Sequence, residues 1–223
     1  MHIEPGLVDG AKITLSYATA AAAGTTGLWF ARHAIKERGV TSLILRSGLA
    51  AVLTFLFFEV LPTFPVGVSE VHFILGSTLF LILGPGPSAI GLALGLVIQG
   101  LFFSPTDLPQ YAMNMTTLLV PLFTLTALAR RTIAPGTAYV DLTYAQVLTL
   151  SDCYQGGVVA WVAFWAIYGM GAQAVAPVGT FAVAYLAVIL LEPLVDLGVL
   201  AAAKRARGKL SPLLVTPRLH TPA

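Results

Sequence analysis

The chain has 223 residues, of which 57% are hydrophobic and 10% are charged, and its mean hydropathy is +0.86. A chain this apolar cannot present a water-facing surface around one soluble core, so we expect it to be solvated by lipid. The small net charge of +2 excludes a nucleic-acid surface, and the single Cys153 excludes both an internal disulfide and a thiolate-rich metal site.

Long apolar runs predict membrane-spanning helices, because a bilayer offers backbone polar groups no partner outside a helix or a closed barrel. Seven such stretches follow one another at 10–31, 42–63, 71–84, 87–104, 112–130, 145–172 and 176–203. The third is too short to cross about 30 Å of hydrocarbon, so we interpret it as a half-span. The fold class is therefore all-α: a polytopic membrane protein of about seven transmembrane helices with a short third helix.

Basic residues predict the orientation of the chain. They cluster after the first, fifth and seventh stretches, as Arg32, Lys36 and Arg38, then Arg130 and Arg131, then Lys204, Arg205, Arg207 and Lys209. The positive-inside rule assigns these clusters to the cytoplasm, which places the amino terminus outside and the carboxyl terminus inside. Residues 1–210 form one predicted transmembrane domain, and residues 211–223, which are polar and rich in proline, form a predicted disordered tail.

The amino terminus carries the most informative chemistry. No basic segment precedes the first apolar run, so we expect the chain to keep Met1. The α-amine of Met1, the amide nitrogen of His2 and the imidazole of His2 can then bind one ion in a planar arc of three nitrogens. Such an arc suits Ni(II) or Cu(II), and residues 1–9 are accordingly interpreted as a metal-binding segment.

His72 is the most economical fourth donor, because the predicted topology places it on the same side of the membrane as Met1. On spacing alone, the more usual role of a lone histidine at this position is that of an interfacial or helix-packing residue.

At this point the residues resemble a known family. The segments that carry the resemblance are Met1-His2-Ile3-Glu4-Pro5-Gly6, the run from His72 to Gly84-Pro85, Gln99-Gly100-Leu101-Phe102-Phe103, and Asn114-Met115. They are similar to CbiM and NikM, the substrate-binding components of energy-coupling-factor transporters for cobalt and nickel. The resemblance implies a square-planar nitrogen site formed by Met1, His2 and His72, with Asn114 and Gln99 as possible hydrogen-bonding groups around the ligands.

The resemblance also implies partners and a location. The expected partners are a transmembrane coupling (T) subunit, cytoplasmic ATPase subunits and, in some systems, a small accessory membrane subunit. The chain has no P-loop pattern, so we expect the energy to come from those ATPase subunits. The resemblance implies a transporter subunit rather than an enzyme, with the transported Ni(II) or Co(II) as its ligand and no cofactor. The expected location is the cytoplasmic membrane of a prokaryote.

The sequence departs from the family pattern in two places. The residues before the second histidine are Pro65-Val66-Gly67-Val68-Ser69-Glu70, where relatives commonly have a glycine-rich loop. Tyr185 and Leu186 precede Glu192, where relatives often have a histidine.

Four acidic residues within the predicted spans also invite interpretation. Glu59 is expected at a solvated interface, while Asp152 and Glu192 are expected to form hydrogen bonds between helices. Asp196 lies four residues after Glu192, and we hypothesise that Arg46 pairs with these carboxylates.

Two other functions remain open from the residues. One is a vitamin-binding component of the same transporter type, in which Trp161, Trp165 and Tyr168 would line an organic pocket. The other is an intramembrane enzyme that uses Asp152 or Glu192 as an acid or base.

Overall fold

Helices make up most of the chain in the computed structural model, which describes Ile3 and residues 6–221. The elements in order are α1 (Ile13–Glu59), β1 (Phe64–Val66), β2 (Ser69–Val71), α2 (Gly76–Leu83), α3 (Pro85–Phe102), α4 (Tyr111–Thr132), α5 (Tyr144–Met170) and α6 (Val175–Arg205). This composition confirms the predicted all-α class.

Among the described residues, four helical stretches are long and apolar enough to cross a membrane: Gly10–Glu59, Pro85–Phe102, Pro105–Thr132 and Tyr144–Arg205. The first and last contain 50 and 62 residues, whereas one crossing needs roughly 20. Each of these two is interrupted near its middle by a glycine with positive φ, Gly39 at 81° and Gly171 at 67°. The structure thus supports a polytopic membrane protein, while the number of crossings and the orientation stay predictions.

A short β-hairpin precedes the half-span, a feature that the apolar pattern did not predict. Strands β1 and β2 pair antiparallel, with Phe64 opposite Val71 and Val66 opposite Ser69. The predicted third stretch therefore begins as a strand and an extended segment, and only Gly76–Leu83 is helical. Its eight residues cannot cross a bilayer, which agrees with the predicted half-span.

Helix α3 begins at Pro85 and packs closely along α1. A Cβ atom on Gly91 would overlap Ala50, and one on Gly95 would lie 2.7 Å from the Cβ of Thr54. Larger side chains at these two positions would push α3 away from α1, so the glycines permit the two helices to pack closely.

The residues after α6 return to the helix bundle. Val215 and Leu219 are buried, the amide of Thr216 donates to the carbonyl of Ile82 at 2.8 Å, and Ser42 donates to the carbonyl of Leu213 at 2.9 Å. Two buried apolar side chains and two hydrogen bonds thus join residues 213–219 to the bundle, while the disordered tail over residues 211–223 stays a prediction.

Candidate metal centre

Ile3 anchors the amino-terminal segment inside the protein. Its amide donates to Oδ1 of Asn114 at 2.9 Å, and it forms an antiparallel bridge with Ser69 of β2. Its side chain is 1% exposed and packs in a small cluster with Val8, Met113 and Trp165. The chain next to the predicted ligands is therefore fixed by both packing and hydrogen bonds, whereas Met1 and His2 themselves lie outside the described residues.

His72 follows strand β2 and is buried. Its Nε2 lies 2.8 Å from Oε2 of Glu70, and its ring meets the ring of Phe58 edge-on at a centroid distance of 5.1 Å. A carboxylate only accepts, so Nε2 donates in this bond. This hydrogen bond fixes the orientation of the imidazole ring. Metal-binding histidines are usually oriented by such a bond from the ring nitrogen that does not bind the metal.

The two segments with predicted ligands are neighbours in the fold. Ser69, which bridges to Ile3, lies three positions before His72 on the same hairpin. Within the described part of the chain, no three His, Cys, Asp or Glu side chains are grouped so that they could hold a metal ion. Any site that His72 joins must therefore draw on other kinds of donor or on residues outside this part.

A buried carboxylate connects the histidine segment to α6. Oε1 of Glu192 accepts the amides of Ile74 and Leu75 at 2.8 and 3.0 Å, and Oε2 accepts from the amide group of Gln155. The hydroxyl of Tyr185 donates to Oε1 of Gln155 at 2.8 Å. These bonds confirm the predicted helix-to-helix role of Glu192. Tyr185, which lies where relatives often have a histidine, binds Gln155 and so belongs to the same hydrogen-bond network.

Asp196 extends the same connection by one helical turn. Its carboxylate accepts from the hydroxyl of Ser77 at 2.6 Å and from that of Thr78, both at the start of α2. The hypothesis that Arg46 pairs with these carboxylates is wrong, because Arg46 donates instead to the carbonyl of Leu83 at 2.8 Å. The hydroxyls of Ser77 and Thr78 were the sequence signal that could have identified the partners of Asp196.

The other polar candidates lie in different environments. Asn114 is buried and uses its side-chain oxygen to hold Ile3, while Gln99 is buried near the end of α3. Glu59 is half-buried at the end of α1, in keeping with an interface position. Asp152 is exposed on α5, so the expectation that it bonds to another helix within this chain is not met among the described residues.

The aromatic residues of α5 surround the amino-terminal segment. Trp165 is fully buried beside Ile3 and Val8, and Trp161 donates from Nε1 to the hydroxyl of Thr116 at 3.0 Å. Trp165 thus packs against the chain itself, an arrangement that does not favour the vitamin-binding alternative.

These features define a polytopic α-helical membrane protein in which buried Ile3 pairs with a hairpin that leads to a buried histidine. The chain matches the family model CbiM, described as the cobalt uptake substrate-specific transmembrane region, over residues 2–210. Because this match spans most of the chain, the protein belongs to that family.

Solved structures agree with the fold. A structure described as a transition metal transporter has a TM-score of 0.63 and 17% identity, and covers 94% of this chain and 93% of its own. A structure described as a truncated transition metal transporter has a TM-score of 0.63 and 16% identity, and covers 94% of this chain and 99% of its own. No curated relative matches the chain. The family and the fold make this protein a membrane transporter subunit for metal uptake, not an enzyme.

Proposed function

We propose that the protein captures Ni(II) or Co(II) in a square-planar nitrogen site. The donors are the α-amine of Met1, the amide and imidazole nitrogens of His2, and the imidazole of His72. The observation that carries the proposal is the position of Ile3, buried and bridged to Ser69 on the hairpin that leads to His72.

The register of that bridge supports the ligand set. Ile3 directly follows the proposed ligands Met1 and His2 in the sequence, and Ser69, its bridge partner, lies three positions before His72. Nε2 of His72 faces Glu70, so a neutral ring offers its lone pair at Nδ1. Three of the four nitrogens come from the first two residues, which is consistent with the lack of an acidic or thiolate cluster in the described chain.

The metal that is transported follows from chemistry and supply. Planar nitrogen donors bind Ni(II) more tightly than Co(II), and metal availability decides which ion is taken up. Because an α-amine must lose its proton before it can bind a metal ion, binding releases a proton and weakens in acid.

We infer that energy for transport comes from other chains in a prokaryotic cytoplasmic membrane. The family membership supports a coupling (T) subunit and ATPase subunits as partners, with or without an accessory membrane subunit. Asn114 and Gln99 are proposed to form hydrogen bonds around the metal ligands. Asn114 does so by accepting the amide of Ile3, the residue next to His2.

Calorimetric titration of purified protein with Ni(II) tests the site. We expect no binding after one residue is added before Met1 or after His2→Ala, and severely weakened binding after His72→Ala. The matched controls are His33→Ala and His220→Ala, which alter the other two histidines and leave affinity unchanged. Unchanged nickel affinity in the extended protein would eliminate the proposed site.

Visible absorption provides a second readout of the same proposal. A planar nitrogen site produces d–d bands when Ni(II) binds, and these bands must disappear in the His2→Ala protein. An organic-ligand pocket would produce neither the bands nor a dependence on the free amine.

A further inference from the structure

A basic cavity of about 230 Å³ opens at the junction of α2 and α3, away from the amino-terminal segment. Its walls come from α1, the end of α4, the loop before α5 and the returning tail. Three arginines line it: Arg46, Arg130 and Arg218. We refer to this space as the basic cavity.

Arg46 is the buried cation of the basic cavity. Its side chain is 1% exposed, Nη1 donates to the carbonyl of Leu83 at 2.8 Å and Nε donates to that of Ser42 at 3.4 Å. Nη2 is also buried, and it has no hydrogen-bond partner in the described part of the chain. A guanidinium stays charged at any physiological pH, so a buried N–H of this group without an acceptor is costly.

The other two arginines lie at the wall, and neither forms an ion pair with an acidic residue in the part of the chain that the structure describes. The guanidinium of Arg130 lies 5.8 Å from the ring centroid of Trp29 and 5.9 Å from that of Phe30. That of Arg218 lies 5.3 Å from the ring of Tyr139. Aromatic faces position a cation but do not neutralise it, so both charges still act on the cavity.

The start of α3 adds to the positive potential. Gly84, Pro85, Gly86 and Pro87 line the basic cavity, and the 18-residue helix α3 directs the positive end of its dipole there. Glu37 is the acidic side chain among the described lining residues, so one carboxylate faces three arginines.

We propose that the basic cavity binds a phosphate group, supplied either by the headgroup of an anionic lipid or by free phosphate. Arginine forks and helix amino termini are the groups that recognise phosphate oxygens, and a phosphate would accept the unpartnered N–H of Arg46. The cavity lies at the end of the bundle where Arg130 and Arg131 form the last turn of α4, the end that the positive-inside rule assigns to the cytoplasm. Anionic headgroups are abundant at that interface.

The test uses the full-length protein in a neutral, phosphate-free detergent. Inorganic phosphate is titrated while the melting temperature is followed, and native mass spectrometry measures how much phosphatidylglycerol is retained relative to a neutral glucosyl diacylglycerol. The key pair is Arg130→Ala, which alters the cavity, and Arg131→Ala, which removes the same charge from the adjacent residue outside the lining.

We expect Arg46→Gln to weaken binding about tenfold by removing a charge-assisted bond, and Arg130→Ala to weaken it about threefold. Glu37→Gln should strengthen it, and Arg131→Ala should leave it unchanged. Arg130→Ala keeps the test decisive even if Arg46→Gln does not fold.

Binding of phosphatidylglycerol alone identifies a lipid headgroup as the occupant, and binding of inorganic phosphate alone identifies the free ion. Binding of neither, or equal losses in Arg130→Ala and Arg131→Ala, would overturn the proposal.

Discussion

Replacing Glu192 with leucine should both destabilise the protein and weaken metal binding. The substitution removes the acceptor of two buried amides, those of Ile74 and Leu75. Each buried N–H left without an acceptor costs about 1–3 kcal/mol, so we expect a loss of about 2–6 kcal/mol in the free energy of unfolding. His72 lies two residues before Ile74, so its position should loosen as well.

Two variants give this prediction its controls. Glu192→Gln keeps an oxygen that can accept from the same amides, so it should lose only about 1 kcal/mol. Asp152→Leu removes a carboxylate from an exposed position on α5 and should change stability by less than about 0.5 kcal/mol.

Thermal or SDS denaturation in detergent measures the stability of the three variants, and nickel calorimetry measures their affinity. If Glu192→Leu is as stable as Glu192→Gln, the carboxylate does not secure the half-span and the reasoning fails. If Glu192→Leu loses stability but keeps its nickel affinity, the bonds from Glu192 stabilise the half-span without positioning His72.

Two further predictions concern close packing and the amino-terminal segment. Gly91→Ala should destabilise the protein by about 1–3 kcal/mol in denaturation experiments, because its Cβ would overlap Ala50. The control Gly24→Ala meets nothing within 4 Å and should be neutral or slightly stabilising, so equal effects would contradict this packing. Asn114→Leu leaves the amide of Ile3 without its acceptor and should weaken nickel binding about tenfold in calorimetry, whereas wild-type affinity would show that this bond does not support the site.

The apolar pattern predicted the all-α class and the short half-span, because hydropathy can be read from each stretch of sequence without knowing its contacts. Helix α2 has the expected short length, and α3 spans Pro85–Phe102, close to the predicted stretch 87–104. The hairpin was not predicted, because its strands have three residues each and show no alternation long enough to recognise.

The partners of the polar residues were harder to predict. Arg46 was assigned to the wrong partners because spacing reveals that a cation is buried but not which carbonyl or carboxylate lies beside it. Asp196 was expected to need a cation, yet two hydroxyls at the start of α2 provide its hydrogen bonds.

The sequence by itself determined that the chain lies in lipid, that it is helical, which family it belongs to and which histidine is the candidate ligand. Composition and short motifs carry this information without long-range contacts. Only the tertiary structure decided that Asn114 holds Ile3 and that Glu192 holds the segment after His72. The first bond joins residues that are 111 positions apart in the sequence, and the second joins residues that are 118 positions apart. Such contacts depend on how the helices pack together. The hydropathy pattern of one helix does not specify which buried group on another helix its side chains will contact.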